Sequence, residues 1–292
     1  MTRRERPSND PRRWVDEYGH EIEESDRGLG YDLQTLVDRR KVLGLFGGLS
    51  AAALQAACGG SGTNGPASAG TATSSTSAAS SAAGGDLTEV PEETAGPYPG
   101  DGSNGPNVLD DSGIVRSDIR SSFGSSTTAE GVPLEIRLTV RDAATGDAAK
   151  GAGVYLWQCD RDGNYSLYSQ AAANENYLRG AQEADANGTV TFQSIFPACY
   201  SARWPHIHFE VYETLSDATS SGPIVKTSQI ALPKEARETV YATSGYEQSV
   251  SDLSQVSLAG DMVFGDDGGI HQLATMSGDA TNGYTATLTI GV

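Results

Sequence analysis

The sequence predicts an all-β fold, an antiparallel β-sandwich core with long loops and at most short helices. Two observations predict it. Short runs alternate apolar and polar residues, the period of a half-buried strand. Between these runs stand turn residues, such as Asp185-Ala186-Asn187-Gly188 and Gly265-Asp266-Asp267-Gly268-Gly269. Many short strands punctuated in this way indicate a sandwich or a barrel.

The first part of the chain is set apart. Residues 1–38 are polar and mixed in charge, with no sustained apolar period. Asp38-Arg39-Arg40-Lys41-Val42-Leu43 then precedes a soft apolar run from Gly44 to Ala57, ending at Cys58. A charged segment, a short apolar run and small residues read as an export signal over 1–58. The arginine pair resembles a twin-arginine signal. The run is too short and too rich in Gly and Ala to span a bilayer. Leu54-Gln55-Ala56-Ala57-Cys58-Gly59 resembles a lipoprotein cleavage box, although Gln55 stands where leucine is usual. Lipid attachment at Cys58 and simple cleavage near Ala57 are the two outcomes. The expected location is extracytoplasmic, either secreted or held to a membrane surface by a lipid anchor.

Residues 59–85 are nearly all Gly, Ser, Ala and Thr, a flexible linker that buries too little apolar surface to order itself. The folded domain is expected over 86–292. The whole chain carries a net charge of −18, with nearly half of its Lys and Arg in the N-terminal segment. The remaining domain is strongly acidic, which excludes nucleic acid as a partner.

Within the domain, Glu93 to Gly100 is dense in Gly and Pro and reads as a loop. Leu109 to Ser126 is expected to wrap the surface. Leu134, Ile136, Leu138 and Val140 alternate with Glu135, Arg137, Thr139 and Arg141, a strand with one wet face. Gly153 to Gln158 forms a second, with Val154 and Leu156 opposite Tyr155 and Trp157. Asp160 to Asn164 is a tight loop leading directly into Tyr165. Asp185 to Gly188 is a hairpin signal, and Thr189 to Phe196 the strand after it. Val225 to Leu232 is a further strand, and Lys234 to Ala242 a short helix. Asp261 to Phe264 and Thr285 to Val292 read as the last strands.

The strand that begins at Pro205 carries the chemistry. His206 and His208 are two apart, so their side chains leave one face while Ile207 and Phe209 point the other way. The chain has four histidines in all, and half are here. Two imidazoles on one strand face make half of a metal site. Tyr200 and Arg203 lie just upstream.

Four separated pieces resemble the intradiol ring-cleavage dioxygenases, the family of catechol 1,2-dioxygenases and protocatechuate 3,4-dioxygenases. They are Thr94-Ala95-Gly96-Pro97-Tyr98; Trp157-Gln158 with Gly163-Asn164-Tyr165-Ser166; Phe196-Pro197 and Tyr200 with Arg203 and Pro205-His206-Ile207-His208-Phe209; and Thr227-Ser228-Gln229-Ile230. The resemblance implies one Fe(3+) per chain, held by Tyr165, Tyr200, His206 and His208, with Tyr200 and His206 axial. It implies that Arg203 and Gln229 line the substrate pocket, that Gly96, Pro97 and Tyr98 form a loop touching substrate, and that Tyr200, Arg203 and Gln229 take part in catalysis. The implied reaction joins a catechol-type ring and O2 into a cis,cis-muconate-type diacid. Two phenolates are hard anionic donors and favour Fe(III) over Fe(II).

Two departures stand out. Trp204 precedes Pro205 where the family has proline and a small residue. The helical dimerisation segment of the catechol enzymes has no counterpart, which leaves the usual homodimer open. Cys159 and Cys199 remain as a candidate disulfide in an oxidising compartment, able to pin both tyrosine loops. Two other functions compete: a non-catalytic binding module on the same fold, and a cupin-like metalloenzyme using His206, His208 and a nearby glutamate.

Overall fold

The computed structural model describes residues 87–200 and 202–292. The expected export signal over 1–58 with Cys58, and the linker over 59–85, lie outside the described residues. Among those described, eight strands form two four-stranded sheets, ordered β4-β1-β8-β7 and β3-β2-β5-β6. The strands are β1 Pro133–Arg141, β2 Gly153–Trp157, β3 Arg179–Glu183, β4 Thr189–Ile195, β5 His206–Tyr212, β6 Ile224–Ala231, β7 Thr275–Asp279 and β8 Gly283–Gly291. Helices α1 Leu215–Ala218, α2 Lys234–Tyr241 and α3 Glu247–Leu253 are short. No helix among the described residues is long and apolar enough to cross a membrane.

The expected sandwich is present, with one parallel pair in it. β1 runs parallel to β8, and every other strand pair is antiparallel. A parallel pair needs a long crossover, and here residues 142–282 lie between the two strands. The core between the sheets takes Leu134, Ile136, Leu138 and Val140 from β1, and Ile207, Phe209 and Val211 from β5.

β2 and β5 are buried on both faces. Their inner faces fill the core; their outer faces lie under loops. Val108, Leu109 and Ile114 pack there with Tyr155, Trp157 and Tyr165 in a second apolar cluster. The segment Leu109 to Ser126 therefore does more than wrap the surface. It buries Leu109, Ile114 and Ile119, and roofs the sheet face that carries the histidines.

Three expectations need correction. Asp185 to Gly188 turns the chain, yet β3 and β4 belong to different sheets, so the turn is a corner between layers and not a hairpin. Asp185 builds it by accepting from the backbone N–H of Asn187 and Thr189. Asp261 to Phe264 forms turns, not a strand, and Val263 and Phe264 pack beside Trp204. Finally, Cys159 and Cys199 are buried free thiols, so the candidate disulfide is not formed. Cys159 Sγ faces the Ala198 carbonyl and Cys199 Sγ the Arg203 carbonyl.

Candidate metal centre

β5 presents His206 and His208 on the face away from the sandwich core, as the period of two requires. In register, β2 sets Trp157 beside His208 and β6 sets Gln229 on its other side. The Trp157 ring stacks on His208 with centroids 4.9 Å apart and planes 9° apart. Gly96 closes over the Cε1–Nε2 edge of the ring. Its φ is +72°, and a Cβ there would stand 3.3 Å from His208 Cε1.

Two loops bring the tyrosines in. Asp160 Oδ1 accepts from the N–H of Asp162 and Asn164, which tightens the loop ahead of Tyr165. Tyr200 follows the buried Cys199 and is itself half-buried.

The four side chains close a ring of contacts. Tyr165 Oη lies 3.3 Å from Tyr200 Oη and 3.3 Å from His208 Nε2; Tyr200 Oη lies 3.2 Å from His206 Nε2; the two Nε2 atoms are 3.0 Å apart. Donors bound to a single ion at about 2.0–2.1 Å stand roughly 3 Å from one another, so the spacing fits one shared cation.

Protonation points the same way. His206 Nδ1 donates to the Trp204 carbonyl at 2.5 Å, which leaves Nε2 with its lone pair. Burial, reinforced by Arg203, holds His206 well below the usual imidazole range. Burial and the neighbouring His206 do the same to His208. Burial pushes the Tyr165 phenol well up, and Tyr200 adds to it. Burial raises Tyr200 to about 12, against the pull of Arg203. Neutral imidazoles are ready to ligate. The phenols need a strong local positive charge before they ionise, and a bound trivalent cation provides one. The set thus fits a hard ferric ion.

Arg203 is 5% exposed and bounds this ring. Its Nη2 donates to Gln229 Oε1 at 2.6 Å and its Nη1 lies 3.4 Å from His206 Nε2. Gln229 Nε2 in turn donates to the Thr94 carbonyl at 2.9 Å, tying the pocket to the Gly96 loop. Tyr98 is 36% exposed, with its ring 4.9 Å from that of Tyr165. Pro97 holds the loop through its carbonyl, which accepts from Asn104 Nδ2. All six expected inner residues therefore converge, with the Gly96–Tyr98 loop at their edge. Among the described residues no three His, Cys, Asp or Glu side chains come together in a way that could hold a metal ion. A cupin-like histidine–carboxylate set is accordingly not assembled around His206 and His208.

Two supporting residues carried no sequence signal, and a third, Thr94, was visible only as the first residue of the Thr94–Tyr98 piece. Asp261 binds Arg203. Arg179 is fully buried with no carboxylate partner among the described residues, and donates to the carbonyls of Tyr98, Pro99 and Ser166. Thr94 Oγ1 accepts from Gly96 N–H.

A family model described as Dioxygenase matches residues 104–216, the span that holds both tyrosines, Arg203 and both histidines. The chain resembles an intradiol ring-cleavage dioxygenase from Tetranychus urticae, 26% identical with a TM-score of 0.54, over 70% of this chain and 94% of that one. The domain is similar to the intradiol ring-cleavage dioxygenases, a family of oxidoreductases. A shorter match, 37% identical over 62 residues, links this domain to a chlorocatechol 1,2-dioxygenase of Rhodococcus opacus. It spans 21% of this chain and 24% of that relative, about a quarter of its length.

Proposed function

We propose that the protein is an iron(III) dioxygenase that opens catechol-type rings between the two hydroxylated carbons. The observation that carries this reading is the closed ring of two phenols and two imidazoles at 3.0–3.3 Å. A ferric ion held by Tyr165, Tyr200, His206 and His208 would supply the means for ring and O2 to react. Both oxygen atoms enter the product, so a catechol and O2 give a cis,cis-muconate-type diacid with no added reductant.

The protein's own groups do the rest. Tyr200, the half-buried phenol of the pair, is suited to yield its place and take a substrate hydroxyl proton on Oη. Arg203 offers Nη1 toward negative charge developing on the substrate, a preorganised donor in a dry site. Gln229 holds Nη2 and so helps fix the guanidinium plane. Trp157 and Gly96 confine the His208 ring. Tyr98 stands at the exposed side, where a flat aromatic substrate would enter.

The proposal extends to location. The Arg39-Arg40 pair, the apolar run after it and Cys58 support export, with either secretion or a lipid anchor at the surface. Small aromatic diols outside the cytoplasm would then be the substrates.

Oxygen uptake by the iron-loaded protein with catechol, hydroxyquinol and protocatechuate tests the reading. Uptake with muconate-type absorption and both atoms of labelled O2 in the product is expected. No uptake with any catechol, from protein carrying about one iron per chain, would sink it.

A further inference from the structure

Asp261 lies in the segment after β6, outside the span the family model matches. It is 3% exposed, and follows the short 3-10 turn Leu258–Gly260. Its Oδ2 accepts from Arg203 Nε at 3.0 Å and from the Trp204 backbone N–H at 2.7 Å. Its Oδ1 accepts from the backbone N–H of Val263 at 2.8 Å and Phe264 at 3.2 Å. Four donors occupy a group with about four acceptor sites. None of these bonds reaches Tyr165, Tyr200, His206 or His208.

A guanidinium has three nitrogens and a fixed plane. Asp261 holds Nε and Gln229 holds Nη2, at 2.6 Å. The remaining nitrogen, Nη1, faces the donor ring, with His206 Nε2 at 3.4 Å. That lone pair belongs to the ligand set, so Nη1 keeps its hydrogens for another acceptor. A buried cation without a counterion is costly, and Asp261 also offsets that charge beside a metal site.

We propose that Asp261 is a positioning residue for ring cleavage, acting through Arg203 Nε to aim Nη1 at the substrate. This rests on the dioxygenase assignment above. A carboxylate serving only the 261–264 turn would not need to bind Arg203. Asparagine cannot replace it, because its amide would set an N–H2 against two N–H donors on one side or the other.

The test is a double-mutant cycle with Asp261→Asn and Arg203→Lys, each loaded with iron. Asp261→Asn should keep its iron and visible band, and lose about 10–100-fold in kcat from misplacement of the donor. Its KM for catechol should stay within about threefold, since the lost interaction is one made in the transition state. Arg203→Lys should lose about 10²–10³ in kcat. On that background Asp261→Asn should cost less than about threefold, because the two act as a unit. In iron-free protein the Arg203 Nε–H resonance should be protected from exchange, and lose that protection in Asp261→Asn.

Multiplicative losses would overturn the proposal, as would loss of iron in a folded Asp261→Asn. Should Asp261→Asn not fold, Asp261→Glu keeps the charge and displaces it by one methylene; wild-type kcat in that variant overturns the proposal equally. A wild-type protein with no visible band and no catechol-dependent oxygen uptake defeats the dioxygenase assignment, and this inference with it. A normal wild type with independent variants defeats the inference alone.

Discussion

The Nε2 atoms of His206 and His208 face each other at 3.0 Å. Nδ1 of His206 carries the proton given to the Trp204 carbonyl, so its Nε2 has only a lone pair to offer. His208 Nδ1 has no hydrogen-bond partner among the described residues. An ion bound by both rings would take the two Nε2 lone pairs together. Iron should therefore stabilise the domain. At a free iron concentration 100 times Kd the gain is about 2.7 kcal/mol, or roughly 5–10 °C in Tm for a domain of this size. Differential scanning of apo and iron-loaded protein measures it, and His208→Asn should abolish the rise.

Arg179 should prove as important to the site as any ligand neighbour. It joins the Tyr98–Pro99 loop to Ser166, the residue after Tyr165. Lysine cannot reproduce that fork. Arg179→Lys should cost about 3 kcal/mol, in the range for breaking a buried network. Tm should fall and KM for catechol should rise, as the Tyr98 loop loosens.

Gly96 is a strained place for any side chain. Its positive φ and the 3.3 Å approach to His208 Cε1 act together. Gly96→Ala should lose about 1–2 kcal/mol from the left-handed backbone and displace the His208 ring. A weaker, shifted visible band at unchanged Tyr165 and Tyr200 is the expected sign.

The domain's two thiols should be inert. Burial raises Cys199 to about 12 and Cys159 higher still, and the thiolate is the reactive form. Iodoacetamide at pH 8 should modify neither in the folded protein and both after unfolding without reductant, as peptide mass mapping would report. Failure to label after unfolding would mean a disulfide after all.

Much of this site was legible because it follows short-range periods. The alternation in β1 survives in the sequence because one face of that strand stays wet. His206 and His208 were visible for the same reason: a period of two puts both on one face. The order of Tyr165, Tyr200, Arg203, the histidines and Gln229 then named the family. What was not legible depends on contacts far apart in the chain. β3 opens with Arg179 and reads as polar, although its arginine is fully buried. β7 is mostly exposed and carries Gly278, so it lacks a strand's apolar alternation. Asp261 lies 58 residues beyond Arg203, and a lone aspartate near Val263 and Phe264 gives no hint of that pairing. The parallel β1/β8 pair is likewise invisible to local reading, since it joins the first strand to the last.

Under the proposed export, Cys58 would distinguish lipid anchoring from secretion. If it is lipidated, the protein should sediment with membranes and Cys58→Ser should release it to the soluble exported fraction. If cleavage falls near Ala57 without acylation, the two should fractionate alike.

The central claim is that Tyr165, Tyr200, His206 and His208 hold one ferric ion. The most direct measurement is the visible spectrum of the purified protein beside its iron content. About one iron per chain with a broad charge-transfer band is predicted, shifting on addition of catechol and fading in Tyr200→Phe and Tyr165→Phe. A protein that stays colourless after Fe(III) is supplied, or one whose band is untouched by both substitutions, would contradict it.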